Sequence, residues 1–306
     1  KTAQYQNNLS IGSTVESLPE DYFTNYFPGP AKFQGTTSGY VSGHMPATVD
    51  ISKFPFSSDT NASDVGDLTQ GRGMLSGQSS ETHGYAAGGI TSTGPRVKTI
   101  DKFTFSSDAN ATGVGDITAT VAYVTGASSI LNGNGYASGG YTPSVTATIA
   151  KFPFASDGNA SNTGNLTQAR GHFSGNSSET HGYTAGGDVT TIDKFSFSSD
   201  GNATDVGDLL ANNYGATGQS SETHGYASGG YVTPARTNII QKFPFSADAN
   251  AADVGDLLFS TKDGSGVSST THGYHSGGDT APSYGEINKF SFSSDGNASN
   301  IGNLTV

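Results

Sequence analysis

One pattern, I-x-K-F-x-F-S/A-S/A-D-x-N-A, recurs six times and leaves the chain few ways to fold. Its lysine-phenylalanine pairs are Lys53-Phe54, Lys102-Phe103, Lys151-Phe152, Lys194-Phe195, Lys242-Phe243 and Lys289-Phe290. The lysines follow one another at steps of 49, 49, 43, 48 and 47 residues. A unit of this length cannot shelter its own phenylalanines, so the copies must stack and cover each other. Short strand-like pieces repeating at such a period are the mark of a propeller or a similar array.

Each unit divides into four strand-like pieces, a to d. A signature G-Y-x-x-G-G precedes the Lys-Phe strand, as in HGYAAGG at 83–89, NGYASGG at 134–140, HGYTAGG at 181–187, HGYASGG at 224–230 and HGYHSGG at 272–278. The first copy, Ser38 to His44, is degenerate. The Gly-Tyr piece is strand b and the Lys-Phe piece strand c. Strand a lies ahead of b, and V-G-D-L forms strand d. Along c the residues alternate, with Phe195 and Phe197 on one face and Ile192 and Lys194 on the other. Aromatic faces packed between neighbouring sheets supply the expected core.

This organisation resembles the kelch-like class of β-propellers, in which a glycine pair closes the second strand of each four-stranded blade. The chain departs from that class in having no tryptophan. The repeats also resemble those of predicted structural proteins of phages that infect marine bacteria, cyanophages especially. That resemblance implies a virion setting and brings no defined activity with it. The expected fold is all-β: a six-bladed propeller of four-stranded antiparallel blades over 31–306, with an N-terminal extension or attachment segment over 1–30. Within the extension, Asn7 to Ser10 resembles a strand d and is expected to add to a blade edge, here or on a second copy.

Composition narrows the partners. There are 26 acidic against 14 basic residues, and six of the fourteen are the motif lysines. Phosphate backbones and anionic membranes require clustered Lys and Arg, so nucleic-acid and membrane partners are not expected. The chain has no cysteine, which removes disulfides and thiolate metal sites. No apolar run is long enough to span a bilayer.

Spacing points to a working face. From each motif lysine to the next Gly-Tyr glycine the distances are 31, 33, 31, 31 and 31; from that glycine to its own lysine they are 14, 18, 16, 12, 17 and 16. Length variation therefore falls in the b–c loops. In a blade, a–b and c–d turns share one face, and b–c and d–a loops the other. Variable loops on a rigid scaffold are where recognition usually sits. The candidate ligand-binding residues are Arg96, Lys98, Tyr141, Tyr231, Arg236 and Tyr284.

Other repeated positions read as structural. His83, His181, His224 and His272 occupy one place in four units, too far apart around a ring to share a metal. They are expected to hydrogen-bond a neighbouring blade. The turn carrying Asp200, Asn202, Thr204, Asp205 and Asp208 has calcium-like spacing but lacks the turn glycine and bidentate Glu of such loops. Asp and Asn there read as turn formers, with calcium the alternative and no cofactor the expectation. Nine Asn-x-Ser/Thr sequons accompany the repeats and read as by-products of that turn. The motif lysines are expected to pair with strand d acids Asp67, Asp116, Asp208 and Asp256. No nucleophile, P-loop or paired-carboxylate arrangement stands out.

The function that follows is non-enzymatic: a virion surface or tail-fibre component that recognises a host-surface glycan or a neighbouring virion subunit, on the virion surface or outside the cell. The alternatives are a secreted lectin or adhesin and a glycan-cleaving enzyme.

Overall fold

The computed structural model describes residues 34–279 and 285–305. They form six antiparallel blade sheets, one per repeat, in a propeller ring, with a two-stranded ribbon of Tyr231–Val232 and Ala235–Arg236 in the b–c loop of blade 5, and no described residue is helical. Blade 4 shows the plan: a Phe173–Ser177, b His181–Gly186, c Val189–Ser196, d Thr204–Asn213, hydrogen-bonded in that order. Blades 2 to 6 each have four strands. Blade 1 shows three among the described residues, Ser38–Ser42, Thr48–Pro55 and Ser63–Arg72. The extension over 1–30, with Asn7 to Ser10, lies outside the described residues.

Strand c pairs with b so that each Gly-Tyr glycine faces the first phenylalanine of the motif, as Gly182 faces Phe195. That ring lies flat over the glycine, and a Cβ on Gly182 would overlap it. The following tyrosine reaches into the next blade. Tyr183 stacks on Phe245 at 4.7 Å between ring centroids and lies 5.8 Å from Phe243. The same triad recurs at every junction, including the one that closes the ring, where Tyr274 packs on Phe54 and Phe56. Burying one such aromatic contributes about 1.5–3 kcal/mol, and each favourable ring pair about 0.5–1.5 kcal/mol more.

The Ser-Ser-Asp-x-Asn-Ala turn is an interblade clamp. Each motif lysine pairs with the turn aspartate of the following blade: Lys53–Asp108, Lys102–Asp157, Lys151–Asp200, Lys194–Asp248, Lys242–Asp295 and, closing the ring, Lys289–Asp59. This corrects the expected pairing with Asp67, Asp116, Asp208 and Asp256. The strand d acids sit one bulged strand away in the same blade, whereas the next blade's turn comes directly over the ammonium. The turn asparagine accepts a backbone N–H from the preceding blade, as Asn250 does from Asp208 and Asn61 from Asn303. The alanine that follows donates its N–H to the same strand, Ala251 to Asp208 and Ala62 to Asn303. Half-exposed ion pairs contribute only about 0–1 kcal/mol. The aromatic triads therefore hold the junctions, and the clamp fixes their register.

Two junctions carry an ion pair in the core. Arg72 meets Asp101 at 3.1 Å and Arg170 meets Asp193 at 2.8 Å, with all four side chains buried. Burial pushes both guanidinium groups below their usual range, against the attraction of the carboxylates. Each aspartate also accepts from a threonine hydroxyl and backbone N–H of the preceding blade, Thr69 or Thr167.

The inner strands line the axis. A Cβ on Gly126, Gly175, Gly218 or Gly266 would overlap the backbone of the preceding blade's inner strand, so only glycine allows this approach. The N–H groups of Ser79, Ser128, Ser177 and Ser220 donate to the hydroxyls of Ser128, Ser177, Ser220 and Ser268 in turn. Gln34 of blade 1 reaches Ser220 of blade 5, giving its amide N–H to that carbonyl at 3.2 Å. A cavity of about 530 Å³ lies at this level, lined by Gln34 and by Ser79, Ser128, Ser177, Ser220 and Ser268 of the inner strands.

Candidate functional site at the mouth of the propeller axis

The d–a connections bring one residue from each of five blades to the axis, three positions before the inner-strand glycine: Met74, Tyr123, His172, Gly215 and Asp263. All five have left-handed backbone, with φ of 53°, 57°, 58°, 73° and 58°. Each N–H after the first donates to the carbonyl of the preceding member: Tyr123 to Met74, His172 to Tyr123, Gly215 to His172 and Asp263 to Gly215. That continuous run explains how four non-glycine residues are held in a conformation that costs each of them about 1–2 kcal/mol. Strain of this kind gathers at functional sites.

The side chains converge above this floor. His172 stacks on Tyr123 at 3.6 Å between centroids, with Tyr141 and Tyr214 edge-on at 5.6 and 5.7 Å. Its Nδ1 lies 3.3 Å from Asp263, two blades away, across Gly215. A Cβ on Gly215 would sit 2.7 Å from the Asp263 carboxylate, so glycine there is what lets the two meet. Lys262 holds the other carboxylate oxygen at 2.7 Å, and its ammonium lies 5.4 Å over the Tyr214 ring. Farther out, Asp279 pairs with Arg236 at 2.7 Å and lies 3.7 Å from Lys262. Tyr231 packs on Tyr214 at 5.1 Å.

Burial opposes the charge on Asp263, but hydrogen bonds from His172 and Lys262 outweigh it and hold the carboxyl below the usual range. Burial likewise opposes the charge on Lys262, and Asp263 outweighs it, so the ammonium titrates higher than usual. An ionised carboxylate only accepts, so the proton shared with Asp263 belongs to His172 Nδ1. The arrangement offers aromatic faces and oriented polar groups.

Of the six residues singled out by loop variation, the structure brings three here: Tyr141, Tyr231 and Arg236. Arg96 bridges Ile90 through its backbone and its buried Nε has no hydrogen-bond partner among the described residues, while Lys98 pairs with Asp116 at 3.1 Å within blade 2. Tyr284 lies outside the described residues. Sequence reasoning missed Tyr123, His172, Tyr214, Lys262 and Asp263. For Tyr123, His172 and Asp263 the signal was an aligned position that differs in all five units; Tyr214 and Lys262 stand one residue before it, where Gly73 and Gly171 agree.

The repeated histidines also need correction. His83, His181, His224 and His272 hydrogen-bond through Nδ1 to the threonine just before each of them, at 2.8 Å, and not to a neighbouring blade. In the calcium-like turn, Asp200 pairs with Lys151, Asn202 accepts from Asn165, Asp205 from Gly207 and Asp208 from Thr190. Among the described residues no group of three or more His, Asp or Glu side chains is placed to hold a metal. The sequon residue Asn176 is buried, and its amide donates to Gln219 and Tyr226, so it is not a glycan acceptor in the folded chain.

No protein-family model and no curated protein sequence matches the chain. Many solved structures share its fold. Among them is the structure of YjhT, similar at a TM-score of 0.65 and 12% identity, over 84% of this chain and 93% of that one. At that identity the likeness is one of fold, and it places the chain among the six-bladed β-propellers.

Proposed function

We propose that the protein is a non-enzymatic binding propeller that recognises a surface glycan at the axial mouth, displayed on the outside of a virion or in another extracellular setting. One observation carries this reading. Nearly every repeated position is spent on interblade packing, whereas the five mouth positions are Met, Tyr, His, Gly and Asp. A position that serves only the ring has no reason to differ so widely among blades. Tyrosine faces beside oriented hydrogen-bonding groups suit sugar rings, which stack through their C–H faces and bond through their hydroxyls. The resemblance of the repeats to marine-phage structural proteins supports the particle setting, where a neighbouring virion subunit is the other candidate partner.

The test is an oligosaccharide array probed with the full chain and with Tyr141→Ala/Tyr231→Ala. Binding by the first and not by the second supports the reading; equal binding by both removes the mouth from it.

The His172–Asp263 couple favours one rival, a glycan-active enzyme, because an oriented imidazole is the form a general base takes. Cleavage of a glycosidic bond generally needs two carboxyl groups, one of them protonated. Asp263 is held ionised, and Asp279 is engaged by Arg236. Release of reducing ends from a bound oligosaccharide, abolished in His172→Ala, would favour the enzyme.

A further inference from the structure

We infer that the ligand at the axial mouth is an uncharged sugar chain, and that anionic and cationic glycans are disfavoured there. This rests on the reading of the mouth as a glycan site.

Anion recognition draws on free backbone N–H groups or on cations awaiting a partner. Among the described residues of the mouth, four of the five ring N–H groups and both of the cations that line it are already engaged. The N–H groups of Tyr123, His172, Gly215 and Asp263 all donate to the preceding blade. Lys262 is held by Asp263 at 2.7 Å, and Arg236 by Asp279 at 2.7 Å. A ligand carboxylate or sulfate approaching either cation would meet the carboxylate already there. An ammonium on the ligand would meet Lys262 and Arg236 in the same way. Within these two ion pairs the positive and negative side chains offset each other. Around them stand the faces of Tyr123, Tyr141, Tyr214 and Tyr231, all of them partly exposed. Such faces gain from apolar sugar C–H surface and not from charge. The paired carboxylates retain lone pairs for sugar hydroxyls, since each carboxylate accepts at several sites.

The experiment titrates the full chain with two probe sets: cellohexaose, maltohexaose and mannohexaose, and sulfated dextran with oligogalacturonate. Binding is read by calorimetry from about 0.05 M to about 0.5 M NaCl, a range over which screening shortens severalfold. The inference expects a neutral oligosaccharide to bind with a Kd that moves less than about twofold over that range. Tyr231→Ala should weaken it about tenfold or more. Lys194→Ala, on the turn face, should leave it within about twofold. Binding of the anionic probes alone, lost at high salt and strengthened by Asp279→Asn, would overturn the inference while leaving glycan recognition standing. Binding of neither set would overturn both.

Discussion

The two faces of this propeller are built by opposite rules. On the turn face every blade repeats the same clamp, Lys on Asp, backbone N–H on Asn, Tyr between two Phe, and the sixth junction matches the first five. On the loop face the corresponding residues from successive blades are Met74, Tyr123, His172, Gly215 and Asp263, and no two agree. The backbone is nearly the same in all five, with φ between 53° and 73°. Symmetry of the chain and asymmetry of the side chains thus meet at one ring of residues. A position under structural selection alone converges on one residue type, as the turn face did. The loop face kept the geometry and varied the chemistry.

The sharpest way to break this comparison is to attack the repeated side. Tyr183→Ala should cost about 3–5 kcal/mol of stability. Tyr274→Ala at the closing junction should cost the same, since its triad is the same; urea unfolding of both variants checks this. A much smaller loss for Tyr274→Ala would mean that the ring is held differently where it closes. Asp193→Ala leaves the buried Arg170 guanidinium without its carboxylate and should cost a comparable 3–5 kcal/mol or so.

Alkaline pH probes the same junctions without mutation. Burial pushes the phenols of Tyr136, Tyr183 and Tyr226 up to about 12, from an ordinary value of 10.0. The unfolded chain loses those protons first, so stability is intact below pH 10.0 and falls as pH rises towards about 12. Each phenol contributes a loss on the order of 2–3 kcal/mol once that range is crossed. Melting temperature followed across the range should fall steadily, and Tyr183→Phe should lessen the fall. The smallest effect belongs to the clamp: Lys194→Ala should cost no more than about 1 kcal/mol, because the pair is half exposed. A loss of several kcal/mol there would make the ion pairs, and not the aromatic triads, the bond between blades.

The unequal legibility of the two faces follows from the same contrast. Phe195, Tyr183 and Gly182 could be read from the sequence because each recurs at a fixed place and a strand's alternation says which way it points. The lysine partner was misread because repetition cannot say which blade supplies an acid. Asp208 lies fourteen residues from Lys194 and Asp248 fifty-four, and only the packing of one blade on the next selects the second. Variation in b–c loop length led to Tyr141, Tyr231 and Arg236. The d–a residues escaped because they vary in identity and not in spacing. The His172–Asp263 contact also depends on Gly215 lacking a side chain between them, a fact about what is missing from the chain at that point.

The account stands or falls on where the protein binds. The direct measurement is the affinity for the best neutral oligosaccharide of two variants matched for melting temperature, Tyr141→Ala/Tyr231→Ala on the loop face and His181→Ala/Lys194→Ala on the turn face. The first should lose binding and the second should keep the affinity of the unaltered chain. Retention of binding by the loop-face variant, with loss in the turn-face variant, would contradict the assignment of recognition to the axial mouth.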